Sequence, residues 1–282
     1  MRLEVLDILE RIQELQRNSH RIGFGVRVED RTRPDKIKEV AEKVESMHFG
    51  RVIYVGQMCS SPTRDAIYTE EPERMLLDLL CMGDIDAAVR GTAKASVILR
   101  LIKEKLGQRS FFRIALLETS MGHQFLLAPV GIDEGSSINE RLTIITSGAQ
   151  LLKQLGVEPR IGVLSGGRME DIGRSPDIDK TIEESQELTS KAREQLPYII
   201  EHYGILVEDA IQARANLILA PNGMIGNFVY RTLIHLGSGK SHGAIYVGIN
   251  EILVDTSRSA PPEEYLHAIR LANALTTIAK RI

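Results

Sequence analysis

At 282 residues, 43% hydrophobic and 26% charged, the chain has the make-up of a globular protein with room for one large α/β domain or two ordinary ones. A formal net charge of −3 argues against a general nucleic-acid binder, and 5% aromatics without tryptophan leave little for stacking bases. No apolar run approaches the roughly 20 residues of a membrane span, and the two cysteines, Cys59 and Cys81, are too few for a disulfide framework or a cysteine metal cluster.

The N-terminus carries acids too early for a signal peptide, so a cytoplasmic protein with no membrane partner is expected. Val5, Ile8, Leu9, Ile12 and Leu15 recur at helical spacing over the first 17 residues. Residues 21–28 read as a strand. Its Gly23-Phe24-Gly25 is a fragment of a nucleotide fingerprint and reads better as close strand packing. Pro34 opens a helix to about Met47, and residues 51–56 form a second strand. Residues 58–69 read as a loop, 70–80 as a helix, 85–89 as a strand, and Arg90-Gly91-Thr92 as a turn into a helix over 93–106.

The rhythm continues. Strands at 113–118 and 125–128 form a hairpin, 139–155 a helix and 160–164 a strand. A Gly-rich loop over 165–175 leads into one long polar helix over 176–203, bent at Pro197. An apolar strand at 215–220 then runs through Pro221-Asn222-Gly223 into a helix. Strands at 244–249 and 252–254 lead through Asp255-Thr256-Ser257-Arg258 to a closing helix over 263–281. Strands alternating with helices give α/β architecture with a largely parallel sheet. Ligands on such sheets sit beyond the carboxyl ends of the strands. The loops expected there carry Arg90, Ser165 to Ser175, Asn222 to Asn227, and Thr256 to Arg258. Two helix N-termini beside an arginine make a candidate anion site.

Four ordered segments resemble the phosphate acetyl/butyryltransferase family. They are Met82-Gly83-Asp84-Ile85-Asp86-Ala87-Ala88-Val89-Arg90-Gly91 with Leu99-Arg100, then Gly156-Val157-Glu158-Pro159-Arg160, then Ala215 to Pro221 with Gly226-Asn227-Phe228-Val229-Tyr230, then Asp255-Thr256-Ser257-Arg258. Within that superfamily, the Val89-Arg90-Gly91-Thr92-Ala93 and Asn222-Gly223-Met224-Ile225-Gly226-Asn227 variants are similar to the methanogen Mtx subunit X branch, which carries a methanogenesis and methyltransferase label.

The resemblance implies two three-layer α/β domains with largely parallel sheets, of the isocitrate/isopropylmalate dehydrogenase-like kind found in phosphate acetyltransferases. One would join 1–107 to 252–282 and the other would be an insertion over 108–251, with an active cleft between them and a homodimer as the assembly. It implies a transferase handling a phosphate or acyl-phosphate substrate, with coenzyme A or a related thiol as carrier and no metal. Ser257, Arg258 and Glu264 are the catalytic candidates, and Arg90, Arg100, Gly226 and Asn227 the substrate- or phosphate-binding ones. Ser257 would donate to a developing oxyanion and Arg258 would hold phosphate bidentately. Glu264 stands seven residues after Ser257, where the family has an aspartate. The family's N-terminal substrate arginine is matched only by guesses at Arg64 and Arg74.

Each candidate also has a plainer reading. Ser257 can cap the last helix, Glu264 can serve a helix first turn, Arg100 can pair with Glu104, and Gly226 and Asn227 can be turn residues. Arg168 and Arg174 read as solvated, and His235 and His242 do not make metal spacing. Two other functions compete. One is a methyltransferase-associated subunit with a corrinoid or methyltransferase partner. The other is a non-catalytic ligand sensor or assembly factor on the same fold.

Overall fold

The computed structural model describes residues 7–17, 19–28, 34–47, 50–57, 65–108 and 110–280. In chain order the elements are α1 (Ile8–Glu14), β1 (Arg21–Val26), α2 (Pro34–Met47), β2 (Arg51–Gly56), β3 (Ala66–Tyr68), α3 (Pro72–Met82), β4 (Ala87–Val89), α4 (Ala95–Lys105), β5 (Phe112–Glu118), β6 (Gln124–Ala128) and α5 (Ile138–Gln154). They continue with β7 (Arg160–Val163), α6 (Pro176–Gln195), β8 (Ile199–His202), α7 (Val207–Gln212), β9 (Leu217–Leu219), α8 (Gly223–His235), β10 (Lys240–Val247), β11 (Leu253–Asp255) and α9 (Pro262–Ala279). The chain divides into two compact units. The first comprises Met1–Arg11 with Phe112–Ser241, and the second Ile12–Phe111 with His242–Ile282.

In the second unit β1 lies between β2 and β4, parallel to both, with β3 outside β2. β4 pairs in parallel with β11, which pairs antiparallel with β10. Leu76, Leu77 and Leu80 of α3 and Ile98, Leu101 and Ile102 of α4 pack with Val55, Ile85 and Leu253 into one apolar cluster. Burying each such side chain stabilises by about 1.5–3 kcal/mol. α9 is apolar nearly all round and buried from Glu264 to Ile278 with few breaks, as a helix inside a core must be. Its Asn273 is fully buried and satisfied. The side chain accepts from Arg17 N–H and donates to Arg17 C=O, both at 2.9 Å.

In the first unit the order is β5-β6-β9-β7-β8. β5 and β6 form the expected antiparallel hairpin, and the remaining pairs are parallel. Both units are therefore mixed α/β with mostly parallel sheets, as the alternation of elements implied.

Three local expectations are corrected. The long helix over 176–203 stops at Gln195. Pro197 has no N–H and drives Leu196 to φ −124°, ψ 134°, after which Ile199 to His202 pair with β7 as β8. Within 58–69, expected as loop, Ala66–Tyr68 form β3 along β2, while 58–64 lie outside the described residues. α7, six residues long, was not expected at all, because so short a helix leaves almost no periodicity to read. No helix among the described residues is long and apolar enough to cross a membrane.

Candidate functional site

The parallel strands β1, β4 and β11 of the second unit end on one edge, in register through Phe24↔Val89 and Val254↔Val89. Arg27, Arg90-Gly91-Thr92 and Thr256-Ser257-Arg258 leave the sheet side by side there. This is the edge at which α/β sheets present ligand-binding loops.

Side chains stitch these loops together. Thr92 Oγ1 accepts from Arg27 N–H at 2.8 Å and donates to Arg27 C=O at 3.0 Å. Thr256 Oγ1 donates to Gly91 C=O at 3.0 Å. Gly91 has φ +59°, and a Cβ there would stand 2.3 Å from Gly25 C=O, so only glycine lets the two turns approach.

Arg90 is the knot of the arrangement. It is 5% exposed, and its guanidinium donates to Asp255 Oδ1, to Thr256 C=O, and to Ala93 C=O at 2.5 Å. Burial disfavours its charge, but the Asp255 carboxylate outweighs that and raises its pKa. Asp255 Oδ1 also accepts Thr256 N–H at 3.0 Å. Arg90 was expected to hold a substrate anion. In the structure its donors go to Asp255 and Thr256, at the start of the loop that carries Ser257 and Arg258, and to its own turn at Ala93.

Ser257 is half-buried and Arg258 exposed. Ser257 N–H donates to Glu264 Oε1 at 3.1 Å, and Ser257 Oγ lies 3.0 Å from Ser259 Oγ. Glu264 is 4% exposed in the first turn of α9, whose N-cap, Pro261, offers no side-chain bond. Its carboxylate thus reaches back to the loop. Tyr265 completes the support. Its hydroxyl donates to Arg258 C=O at 2.9 Å and Ser257 C=O at 3.2 Å, and its ring meets Phe24 edge-on at 5.4 Å. Burial, with the nearby Glu264 charge, pushes its phenol pKa up, so it stays a neutral donor.

Two residues at this edge went unread in the sequence. Arg27 donates to Glu73 through Nε at 2.8 Å and Nη2 at 2.5 Å, and Glu73 also accepts Lys94 N–H at 2.6 Å. Burial raises the Glu73 carboxyl, but Arg27 and the backbone donors outweigh it and hold it below the usual range. An arginine just past the end of a parallel strand was the available signal for Arg27. Nothing in the sequence pointed to Glu73.

The remaining candidates have the following surroundings. Arg100 is exposed on α4, 3.9 Å from Glu104 one turn on. Arg74 pairs with Glu71 at 3.7 Å, Arg168 with Glu170 at 3.4 Å and Arg174 with Asp171 at 2.6 Å. Arg64 lies outside the described residues. Gly226 and Asn227 belong to the first unit. A Cβ on Gly226 would stand 1.9 Å from Pro129 C=O, and Asn227 Nδ2 donates to Val130 C=O at 2.9 Å. Both dock α8 onto the 129–131 segment. At the α8 N-terminus, Gly223 N–H donates to Glu134 C=O, Ile225 N–H to Asn222 Oδ1 and Gly226 N–H to Asn222 C=O. Met224 N–H is left without a partner among the described residues. Among those residues no group of three or more His, Cys, Asp or Glu side chains is arranged to hold a metal ion.

No protein-family model matches the chain. It is 41% identical over 278 residues to "Putative methyltransferase mtx subunit X" of Methanosarcina mazei, covering 97% of this chain and 96% of that one. It is 23% identical over 218 residues to "Phosphate butyryltransferase" of Clostridium acetobutylicum, covering 70% of each. In fold it is similar to a branched-chain phosphotransacylase from Enterococcus faecalis V583. The TM-score is 0.69 at 15% identity, over 92% of this chain and 99% of that one.

Proposed function

The chain belongs to the methanogen Mtx subunit X family and has a phosphotransacylase-like fold, and from that premise we propose that it binds a phosphate or acyl-phosphate group at the Asp255–Arg258 loop of the second unit. The observation that carries the reading is the knot of Arg90 on Asp255 and Thr256. A buried ion pair at a strand end fixes the loop backbone, and a pre-set loop binds without first having to be ordered.

Arg258 is assigned to the anion and the Ser257 hydroxyl to the carbonyl oxygen that gains charge during transfer. Arg90, Glu264 and Tyr265 hold that pair in place. The carrier would be coenzyme A or a related thiol. In the test, isothermal titration measures binding of acetyl and butyryl phosphate, and thioester formation is followed with coenzyme A. Arg258→Ala is expected to weaken binding at least tenfold, while the exposed Arg100→Ala leaves it unchanged. Equal affinity in wild type and Arg258→Ala ends the assignment.

A second reading rests on the name of the Methanosarcina mazei relative, a methyltransferase subunit. In it the anion site is kept while the chain works inside a complex. Co-purification of a corrinoid or methyltransferase subunit, together with ligand binding but no thioester formation, would select it. The first reading includes a homodimer. α8 supports a partner-facing surface, because its only buried residues are Gly223 and Gly226 while Met224 and Phe228 are 56% and 67% exposed. Light scattering on the purified protein decides the mass, and a monomer removes the homodimer.

A further inference from the structure

The amino ends of the first unit's parallel strands, the edge opposite to the one that presents ligand loops, frame a cavity of about 690 Å³. It opens where β6, β7 and β8 begin and just before β9, at Gln124, Arg160, Ile199 and Asn216. Its size is that of a small-molecule site.

Two of its lining residues are arginines, Arg160 and Arg214. Neither guanidinium has an ion-pair or hydrogen-bond partner among the described residues. The two acids on the wall are already engaged. Glu158 pairs with Lys153 at 2.7 Å, and Asp7 Oδ1 accepts Leu9 N–H at 3.0 Å at the start of α1. With Lys153 set against Glu158, two arginines stand against the single carboxylate of Asp7, so the wall carries an excess of positive charge.

Arg214 stands where the backbone asks for glycine. α7 ends in a Schellman turn, with Ala215 N–H donating to Ala210 C=O at 2.9 Å and Arg214 N–H to Ile211 C=O at 3.0 Å. That places Arg214 at the left-handed position, and its φ is +61°. Glycine occupies such a position without strain, while an arginine there is strained. An outlier of this kind lining a cavity points to a use for the side chain.

The platform beneath is rigid. Asn216 Oδ1 accepts Arg160 N–H at 2.7 Å, Asn216 Nδ2 donates to Glu158 C=O at 2.8 Å, and Asn216 N–H donates to Arg160 C=O at 2.8 Å. One residue thus ties the strand that starts at Arg160 to the turn that carries Arg214. His123 Nε2 bonds Ala215 C=O at 2.8 Å, fixing that imidazole at the same wall. The apolar part of the lining is Ile8, Val157, Pro159, Pro197 and Ile199, the last left 53% exposed, with Gln124 and Tyr198 beside it.

We propose that this cavity binds a small amphipathic anion, a carboxylate or phosphate monoester on an apolar body. Arg160 and Arg214 hold the acid group, and the body lies along Pro159, Pro197 and Ile199. The site shares no residue with the Asp255–Arg258 loop and does not depend on the function assigned to that loop.

Titration calorimetry on the full chain tests this with phenylacetate, phenyl phosphate, phenylacetamide and inorganic phosphate. The Arg258→Ala protein serves as background, so that the other candidate site contributes nothing. At least one of the two aromatic anions is expected to bind saturably at one per chain, and the better one names the acid group. Phenylacetamide and inorganic phosphate should bind at least tenfold more weakly than that anion. Arg160→Ala and Arg214→Gly should each weaken it at least tenfold. Arg214→Gly should melt no lower than its parent, because glycine suits the left-handed turn, so loss of binding there is not loss of fold. Three results would overturn the proposal: no saturable binding of either aromatic anion, equal binding of the amide, or undiminished binding by Arg214→Gly.

Discussion

The turn after β11 and the turn after β9 both carry a parallel strand into a helix N-terminus, yet different forces hold them. In the second unit charge does it: Arg90 on Asp255, with the Glu264 carboxylate on Ser257 N–H. In the first unit close approach does most of it: Gly223 and Gly226 lie flat against the carbonyls of Gly131 and Pro129, neutral Asn222 and Asn227 make polar bonds, and one charged side chain, Arg141, donates to Pro221 C=O at 3.1 Å. Asp-Thr-Ser-Arg and Asn-Gly-Met-Ile-Gly-Asn look alike as loop signatures. Only one of them has an exposed cationic side chain, Arg258, at its end, and only that one itself contributes a residue, Asp255, to a buried ion pair.

The largest expected effect comes from breaking the charged turn. Arg90→Met leaves the Asp255 carboxylate buried without its partner and should cost about 3–5 kcal/mol in denaturant unfolding. The double variant Arg90→Met with Asp255→Leu should recover much of that loss, since a buried pair replaced by apolar groups is often neutral. If the double variant is no better than the single one, charge is not what holds this turn.

The matching test of the other turn adds volume. Gly226→Ala places a Cβ 1.9 Å from Pro129 C=O, a backbone atom that cannot swing away. A loss of about 1–3 kcal/mol is expected, unchanged between low and high salt. Asn222→Ala removes the side-chain cap from Ile225 N–H and should cost about 1 kcal/mol by the same measurement. A salt-dependent loss in either variant would make the two turns alike.

The same contrast explains what the sequence could reveal. Strand–turn–helix alternation made the α/β class legible, and the strand ends put Arg90, Asn222 to Asn227 and Thr256 to Arg258 in loops. What Arg90 does was not legible, because its partner stands 165 residues away and only the β4–β11 pairing joins them. Glu73 was hidden for the same reason, as its Arg27 partner lies on a different strand–helix unit. Gly226 read equally well as a phosphate-binding residue or as a plain turn residue, since both suit a glycine. Its close approach to the Pro129 carbonyl could not be read from the sequence, because the two lie 97 residues apart, as Asn227 and Val130 do. At 176–203 a polar run kept its helical look through Pro197, and only the pairing of 199–202 with β7 settled that segment as a strand.

The smallest effect separates the units by pH. Each holds a buried carboxylate against an arginine, Glu73 with Arg27 in the second unit and Glu134 with Arg113 in the first. Burial raises both carboxyls. At Glu73, Arg27 and the Lys94 N–H win, and the folded pKa falls below the ordinary range. At Glu134, Arg113 and the N–H groups of Arg113 and Gly131 pull it down without overcoming burial, and the folded pKa stays raised. The signs then oppose. The Glu73 contribution is present above the unfolded carboxylate pKa of about 4.3 and is lost as pH falls through its folded value. The Glu134 contribution is complete below about 4.3 and is lost as pH rises through its folded value. The cost of Glu73→Gln should therefore grow between pH 3.5 and pH 7, and the cost of Glu134→Gln should shrink. Hydrogen exchange under denaturant, read at amides of each unit and corrected for intrinsic exchange, measures both. If the two costs move in the same direction with pH, the pairs share one balance of burial and charge, and the contrast between the units fails at the level of their buried acids.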